Sequence, residues 1–370
     1  MKIITTIGTS LVTNVINPLR SKCNLSDEEK LALDAFSKLQ QKDYKEKSNY
    51  QKEYDALKKF IIDRVEFSEK TSAEIKSLIN IAKDSKFQNQ YLEIIPIATD
   101  TILAPMCAEM LKVLIEKNLN NIDVNYSEQY IIEDLQVGDY KRYKKGLINL
   151  LNKLNTFSNE ELLLNITGGF KGVIPYMTIY GQVNNIPLFY IFEFTSSLIE
   201  IPQVPLAIDY NIFESEWKTF YQIETEDVLA KDTLSYQFIK DYENLLDIEG
   251  DLVSLNPLGK ILWDRYKKEN FIFYTTYEVW QEIQKLKNIQ NILKTKFSLN
   301  YTNKTEQKNN HFVYDDGNNP NRIFYFEVDK KFYIYKVFEN HDRYEEYLNK
   351  NSFSKDFKQQ FATNSQIYKL

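Results

Sequence analysis

The stretch LLLNITGGFKGVIPYMTIYG, residues 162–181, decides the fold class. An apolar run typical of a buried strand enters a Gly-Gly pair, and a helical pattern resumes at Val173. The chain has only 10 Gly, and four of them lie between positions 168 and 181. A strand, a glycine turn and a helix in this order are typical of a parallel α/β sheet, with the turn at the carboxyl edge of the strands.

The alternation of strands and helices continues on both sides of this stretch. Apolar runs predict further strands at 2–7, 91–100 and 187–194. Helical patterns occupy 25–62, 68–84 and 104–117, and Ser72 is predicted to cap the second of these helices. The hydroxyl and glycine clusters follow the ends of the strands, so we expect a Rossmann-like parallel sheet with its ligand edge there.

Composition restricts the class of protein. With 370 residues, 43% hydrophobic and 26% charged, the chain is expected to form two or three soluble domains. No uninterrupted apolar run reaches the length of a membrane span, so we expect no membrane contact. The cysteine usage favours a reducing compartment, so we expect a cytoplasmic protein. Two Cys and two His give neither a disulfide framework nor a multi-histidine metal site.

Three domains are predicted, at 1–205, 206–270 and 271–370. The first is the α/β domain. Within the second, residues 233–268 read as two helices, a hairpin around Gly250 and a helix opened by Pro257. That order is typical of a winged helix-turn-helix, and a generic helical linker is the alternative.

The third predicted domain is a small α+β unit. It begins with a strand at 271–276, followed by helices as far as Lys296. The segments NKTEQKNN (303–310) and DDGNNPN (315–321) are predicted to be loops. Strong aromatic alternation over 322–338 predicts a hairpin that turns near Asp329-Lys330, and 341–350 predicts a polar helix.

The glycine turn suits an anionic ligand. Glycines allow positive φ and close approach of the backbone, and the following helix start offers free N–H groups. Lys171 adds a charge that suits phosphate, and Phe170 could stack on a base. Hydroxyls at Thr9, Ser10 and Thr99 end the neighbouring strands. The pattern favours a phosphate- or nucleotide-containing ligand, although a simple tight turn is the alternative, and no GxGxxG follows the first strand.

Four ordered motifs resemble one family. They are TTIGTSLVTN (5–14), TSAEIKSL (71–78), IPIATDT (95–101) and NITGGFKGVIPY (165–176). Over about residues 1–205 the chain resembles CARF-domain proteins, the Rossmann-fold sensors of type III CRISPR systems, in the branch with a GTSL start and a TGGFK turn.

The resemblance implies a homodimer that binds cyclic oligoadenylate across its two-fold axis, with cyclic tetra-adenylate favoured over hexa-adenylate. It implies no further cofactor. The positions that match the ligand-facing motif are Gly8, Thr9, Ser10, Thr99, Asp100, Thr101, Thr167, Gly168, Gly169, Phe170 and Lys171.

Such sensors commonly continue into a winged helix and then a nuclease. A HEPN ribonuclease needs an Arg a few positions before a His, and neither His311 nor His341 has one. A metal-dependent PD-(D/E)xK nuclease would use Asp316 with Asp329, Lys330 and Lys331. However, Asp329-Lys330 falls where a hairpin turn is expected.

The segment from 271 to about 350 resembles the RelE family of ribosome-dependent mRNA interferases. The resemblance rests on a helical pair, an Arg-initiated aromatic hairpin and the histidine-bearing turn after it, in RIFYFEVDKKFYIYKVFENHDRYEEYL (322–348). It implies metal-free cleavage of RNA, including ribosome-bound mRNA. The RNA 2′-OH attacks its own phosphorus, and the departing 5′ oxygen receives a proton.

Six residues are candidates for this chemistry. Arg322 and Arg343 could stabilise the charged phosphorane with planar donors. Lys331 or Lys336 could hold phosphate, His341 could donate the proton, and Tyr344 could stack on a base.

The sequence therefore predicts an RNA-cleaving effector of type III CRISPR defence, activated by cyclic oligoadenylate and without a metal. The rival interpretation is a ligand-responsive regulator whose winged helix binds DNA. The last hundred residues carry 15 Lys and Arg against 12 Asp and Glu, or +3, so with a net charge of −6 for the chain the first 270 residues carry −9. An acidic balance there makes a DNA-binding surface less favourable.

Overall fold

The computed structural model describes residues 1–68, 70–87, 90–118, 123–136, 138–157, 160–192, 197–205, 209–298, 301–315, 317, 319–329 and 331–370. The chain divides into two compact units, Met1–Ala207 and Ile208–Leu370. The predicted sensor domain lies in the first unit, and the other two predicted domains lie together in the second. Among the described residues, no helix has the length and apolarity needed to cross a bilayer.

The N-terminal unit is built on one seven-stranded sheet. Its elements are β1 (Lys2–Ile7), α1 (Ser10–Leu19), α2 (Asp27–Leu39), α3 (Gln51–Ile62), α4 (Ala73–Lys83), β2 (Leu92–Thr99), α5 (Leu103–Asn118), β3 (Val124–Tyr126), β4 (Tyr130–Ile132), α6 (Tyr140–Asn155), β5 (Leu162–Asn165), α7 (Ile174–Asn184), β6 (Leu188–Ile191) and β7 (Leu198–Ile201). The strand order is β3-β2-β1-β5-β6-β7, and β4 also pairs with β2.

All the strand pairs of this sheet are parallel except β6 with β7, which confirms the predicted, largely parallel α/β class. Residues 3–7 of β1 are buried in succession. Because neighbouring side chains of a strand point to opposite faces, helices must cover both faces of the sheet. Helix α4 begins at the predicted cap, where Ser72 Oγ accepts a hydrogen bond from the Ile75 N–H.

The first part of the C-terminal unit is helical with a small sheet. It contains α8 (Asn211–Glu214), α9 (Trp217–Glu226), β8 (Leu229–Ala230), α10 (Tyr236–Asp241), β9 (Leu246–Glu249), β10 (Leu252–Leu255) and α11 (Pro257–Glu269). The predicted hairpin turns at Gly250, whose φ is 61°. The second predicted helix is a single 3₁₀ turn, Glu243–Leu245. The winged-helix assignment stays a prediction.

A six-stranded sheet forms the rest of this unit. Its elements are β11 (Ile272–Thr275), α12 (Tyr277–Lys285), α13 (Lys287–Ile292), a π-helical turn (Leu293–Phe297), β12 (Thr305–Lys308), β13 (His311–Tyr314), β14 (Arg322–Val328), β15 (Lys331–Phe338), α14 (His341–Lys350), α15 (Lys355–Asn364) and β16 (Gln366–Lys369). The order is β12-β13-β14-β15-β11-β16, and β15 and β11 are its parallel pair.

The β14–β15 hairpin confirms the predicted aromatic alternation. Ile323 and Tyr325 face a core formed with α12 and α13, whereas Phe324 and Phe326 face a second core formed with α14 and α15. The turn falls at Asp329, which has a φ of 49°. Helices therefore cover both faces of this sheet.

The prediction of a loop at 303–310 is wrong. Residues Thr305–Lys308 form β12, which pairs with β13 at the edge of the sheet. An edge strand can carry polar residues on exposed positions, and charged side chains there discourage pairing with other chains. The four residues TEQK therefore show no apolar alternation that would indicate a strand.

Candidate functional site

Three polar segments meet at the carboxyl edge of the N-terminal sheet. Strands β1, β2 and β5 are adjacent and parallel, with β1 in the centre. The segments 8–10, 99–101 and 167–171 follow or end these strands. The structure therefore brings the predicted ligand-facing positions to one edge, as the strand pattern predicted.

The glycine turn is held by hydrogen bonds to the sheet. The Thr6 hydroxyl donates to the Gly168 carbonyl oxygen over 2.5 Å, and Thr167 Oγ1 accepts from the Ile191 N–H over 3.0 Å. Gly169 has a φ of 88°, in the region that favours glycine. A Cβ on Gly8 would lie 2.9 Å from the Gly169 nitrogen, so the two backbone segments are in direct contact.

A buried carboxylate lies beneath this contact. Glu74 on α4 is 2% exposed. Its Oε1 accepts from the Gly8 N–H over 2.8 Å, and its Oε2 accepts from the Ser10 hydroxyl over 2.5 Å. A Cβ on Gly168 would lie 2.4 Å from Glu74, so the carboxylate touches both segments. Sequence analysis missed Glu74, because an acidic residue in a first helical turn is ordinarily read as favourable to the helix dipole.

Asp100 forms an ion pair with a neighbouring arginine. Arg142 on α6 contacts three carboxylates, with Asp43 at 2.8 Å, Asp100 at 3.0 Å and Asp134 at 3.1 Å. Burial alone would raise the pKa of Asp43, but hydrogen bonds from Gln136 and Arg142 outweigh it and lower that pKa. The Asp100 carboxylate therefore fixes the loop between Thr99 and Thr101 instead of extending freely to a ligand.

The two threonines of this loop have different surroundings. Their hydroxyl oxygens lie 3.2 Å apart, and Thr101 Oγ1 also accepts from the Ala104 N–H at the start of α5. Thr99 lines a small pocket with about 230 Å³ of empty space including its mouth; its lining is Thr6, Ile7, Ile97, Thr99, Leu135, Leu150, Gly169, Phe170 and Val173. Only about 10 Å³ of this space can hold the centre of a water molecule, which is room for about one water, so a nucleotide would have to bind outside the pocket.

Aromatic and basic side chains border the turn. The Phe170 ring packs edge-to-face on Tyr143, with centroids 5.4 Å apart. The Tyr143 hydroxyl donates to the Gly172 carbonyl oxygen over 2.7 Å, and burial raises the pKa of Tyr143 to about 12. Lys171 is exposed beside them. One side of Phe170 is therefore already supported, which suits a ring that stacks on a base.

In the C-terminal unit, Arg322 and Tyr344 lie together. Arg322 is 8% exposed, and its guanidinium carbon lies 5.3 Å from the centre of the Tyr344 ring. The guanidinium also contacts Asp315 at 2.7 Å and donates to two backbone carbonyls, those of Asn319 and Asn321. Within the described part of the chain its Nε has no hydrogen-bond partner.

Tyr344 has a further partner that sequence analysis missed. Tyr344 is 1% exposed, so a base could stack on it only after its neighbours moved. Lys308 Nζ donates to the Tyr344 hydroxyl over 3.0 Å and pairs with Glu306 at 2.8 Å. The Glu306 hydrogen bond raises the pKa of Lys308. Lys308 lay in a segment predicted to be a loop, so nothing indicated that it faced this cluster.

The two predicted phosphate-binding lysines have surroundings that the sequence did not indicate. Lys336 Nζ donates to both carboxylate oxygens of Glu282 on α12, at 2.8 and 2.9 Å. Lys331 pairs with Val328 at the turn of the hairpin, whereas Arg322 pairs with Phe338 at its other end. Six residues of strand separate these ends, or about 20 Å. The structure therefore does not bring Lys331 to Arg322. Lys336 lies opposite Phe324, two positions from Arg322 along the hairpin, but its ammonium is paired with Glu282.

The two remaining candidates lie on the surface of α14. The side chain of His341 is 60% exposed, and its ring packs edge-to-face on Tyr344 with centroids 5.2 Å apart. Arg343 is exposed on the same helix. Lys308, Arg322, His341 and Tyr344 thus form one connected group, which we call the Arg322 cluster.

The other histidine is a core residue. His311 is 2% exposed, with Nδ1 2.7 Å from the Tyr335 hydroxyl and Nε2 3.1 Å from the Asn351 carbonyl oxygen. Burial lowers the pKa of His311, which favours the neutral ring. Both ring nitrogens of His311 therefore have a hydrogen-bond partner within the protein.

The residues of the metal-nuclease alternative fall partly outside the described part of the chain. Asp316 and Lys330 lie outside them, and Asp329 occupies the hairpin turn. The described residues contain no group of three acidic, His or Cys side chains that could hold a metal ion.

Comparison with known proteins finds a similarity in part of the N-terminal unit. No curated protein matches the chain. A family model described as CRISPR-associated protein (Cas_APE2256) matches residues 69–204. The match runs from α4 to the end of β7, and it includes Glu74 and the glycine turn but none of the C-terminal unit. Residues 69–204 are therefore similar to a CRISPR-associated protein family, which supports a CRISPR-related role for this chain.

Proposed function

We propose that the chain is an antiviral effector of type III CRISPR defence, in which cyclic oligoadenylate bound by a homodimer activates a metal-independent ribonuclease. The sensor half is supported by the turn at Gly168–Gly169, which meets Gly8–Ser10 at the edge of the sheet. Backbone N–H groups at such a turn and at the start of the following helix bind anions without a cation. The CRISPR-associated match over residues 69–204 supports the same assignment.

A ring is the ligand that two copies of this site would bind better than one copy could. The pocket has no room for a nucleotide, so the ligand would lie on the surface formed by the turn, Phe170 and Lys171. A two-fold partner would place a second copy of these groups opposite the first. A ring of alternating phosphates and adenosines then meets two anion-binding turns and two aromatic rings.

The ribonuclease half is supported by the Arg322 cluster. Arginine offers planar donors to the charge that builds up on the two non-bridging oxygens of a phosphorane, and the Arg322 Nε has no hydrogen-bond partner among the described residues. Lys308 takes the phosphate-holding role, since Lys331 lies at the far end of the hairpin and Lys336 is paired with Glu282. His341 is the exposed group beside Tyr344 that can protonate the departing 5′ oxygen. Ring binding in one unit would control cleavage in the other as a coupling between distinct sites.

RNA cleavage is expected to require the ring and to persist in EDTA. We expect replacement of Lys308 by alanine to lower ring-stimulated cleavage about 100-fold, as the loss of one donor to a developing charge does. The matched control is Lys331→Ala, which is expected to cleave at the rate of the unaltered protein. The measurement is cleavage of labelled RNA with cyclic tetra-adenylate, with hexa-adenylate and without ligand, each with and without purified ribosomes.

Two outcomes would contradict this assignment. Cleavage that is indifferent to both rings would exclude the sensor role. Cleavage that is lost in EDTA, or that fails equally in both lysine variants, would exclude the metal-free Arg322 cluster as the active site.

A further inference from the structure

Arg322 and Lys308, the two permanent cations of the Arg322 cluster, are each paired with a carboxylate. Arg322 Nη2 contacts Asp315 at 2.7 Å, and Lys308 Nζ contacts Glu306 at 2.8 Å. The side chains of Arg322 and Asp315 are only 9% and 17% exposed, so water and salt screen this pair little. The hydrogen bond from Lys308 lowers the pKa of Glu306, and the charge of Arg322 lowers it further. Two acids therefore cancel the charge of the two cations.

The Arg322 guanidinium has one edge that is only half used. Both hydrogen bonds from Nη1 go to backbone carbonyl oxygens, those of Asn319 and Asn321, over 2.7 and 2.8 Å. Nη2 and the Nε N–H share another edge of the planar group. Asp315 takes Nη2, and the buried Nε has no hydrogen-bond partner within the described part of the chain. A buried donor without an acceptor is costly, so this edge suits an anion that offers two oxygens.

Asp315 lies where phosphate oxygens would bind this edge. A phosphate binds an arginine side-on through two parallel N–H···O hydrogen bonds, and the donors available to it are Nη2 and Nε. The Asp315 carboxylate already accepts from Nη2, and its negative charge repels an anion that approaches Nε. An RNA phosphate can therefore use both donors of Arg322 only after Asp315 has moved away from Nη2.

We propose that Asp315 is an autoinhibitory residue, which keeps Arg322 from RNA until the protein is activated, and that Glu306 acts in the same way on Lys308. This inference rests on the proposed ribonuclease function and supplies the regulation of that site. The activating ring would favour the arrangement in which Arg322 is released, as a ligand does when it binds one of two states more tightly. Until then the cluster is neutral, which weakens its attraction for the RNA backbone.

The variant Asp315→Asn keeps the size of the side chain and removes its charge. We expect RNA cleavage without the ring to rise about tenfold in this variant, because a charge-assisted hydrogen bond is replaced by a neutral one of about half the strength. Cleavage with cyclic tetra-adenylate is expected to change less than about twofold, since Asp315 has already left Arg322 in the activated protein. The variant Glu306→Gln is expected to raise ring-free cleavage by a smaller factor, because the Glu306 side chain is 55% exposed.

RNA binding gives a readout that does not depend on cleavage. The probe is a labelled RNA that carries 2′-O-methyl groups and so lacks the attacking hydroxyl. Its dissociation constant without the ring is expected to fall about tenfold in Asp315→Asn, for the same reason as above. The matched control is Glu269→Gln, which removes the carboxylate from another arginine pair, Arg265 with Glu269 at 3.0 Å on α11. This control is expected to change neither ring-free cleavage nor RNA binding.

A gain of activity cannot come from a loss of stability. Fluorescence of the three Trp, all in the C-terminal unit, reports whether each variant is folded. If Asp315→Asn is unfolded, Glu306→Gln is judged in its place. A rise in ring-free cleavage and in RNA affinity that is absent from Glu269→Gln supports the inference.

If the unaltered chain cleaves RNA with the ring, but the folded variant gains neither cleavage nor affinity or gains no more than the control, the inference fails and the ribonuclease function stands. If none of the proteins cleaves RNA with or without the ring, both fail.

Discussion

Replacing Gly169 by alanine is expected to weaken ring binding by about 100-fold, the scale of loss that follows when binding groups are displaced by about 1 Å. The backbone at Gly169 has a φ of 88°, which strains any L-residue with a side chain. An added Cβ would also lie 2.8 Å from the Thr6 Cβ. The turn can relieve both only by moving away from β1, which carries its N–H groups out of register with the ligand.

Gly250 provides the control for this variant. Its φ is 61°, but a Cβ there meets no atom within 4 Å, and the hairpin that contains it belongs to the other unit. Gly250→Ala therefore carries the backbone strain without the steric conflict. Ring binding measured by calorimetry is expected to be unchanged in Gly250→Ala. If Gly169→Ala binds the ring as tightly as the unaltered protein does, the turn does not contact the ligand.

Replacing Glu224 by alanine is expected to destabilise the C-terminal unit by about 3 kcal/mol, as breaking a buried ion pair does. Glu224 on α9 accepts from Lys260 over 3.0 Å, from Lys267 over 2.6 Å and from the Trp263 indole N–H over 2.9 Å, all on α11. Burial alone would raise the pKa of Glu224, but the charges of the two lysines hold it well below its usual range. The alanine variant leaves Lys260 buried with Asp264 as its remaining carboxylate partner.

Tryptophan fluorescence can follow this unit by itself. The chain has three Trp, at positions 217, 263 and 280, and all belong to the C-terminal unit. The measurement is the free energy of unfolding from denaturant titration of the fluorescence. Glu226→Ala, on the exposed end of the same helix, is the control and should change the stability by less than about 0.5 kcal/mol. Similar values for the two variants would refute a structural role for the Glu224 contacts.

The sheet of the N-terminal unit was predictable because its signals are local. Apolar runs such as residues 2–7 and 162–165 mark buried strands, and the glycine cluster at 168–172 marks a turn that few residues permit. Since parallel strands end at one edge, these local signals also gave the position of the candidate ligand site. The Ser72 cap of α4 was equally predictable, because a cap is defined within one helical turn.

The contacts that organise the site were not predictable, because they join distant parts of the chain. Glu74 bonds Gly8 and Ser10 across more than 60 positions. Arg142 joins Asp43 and Asp100, which lie 99 and 42 positions away. No periodicity or spacing in one sequence indicates which carboxylate a buried arginine will find.

The C-terminal candidates illustrate the same limit in another way. The hairpin at 322–338 was visible from alternation, yet alternation does not say which end of a strand carries the chemistry. Lys331 and Arg322 therefore looked equivalent in the sequence, although they lie at opposite ends of the hairpin. Lys308 reaches Tyr344 from an edge strand whose polar residues resemble a loop.

The most direct test of the account is calorimetric titration of the intact chain with cyclic tetra-adenylate and, separately, with cyclic hexa-adenylate. We expect saturable binding of one ring for every two chains, tighter for the tetra-adenylate, by a protein that sediments as a dimer. No heat with either ring, or a chain that remains monomeric at every concentration used, would contradict it.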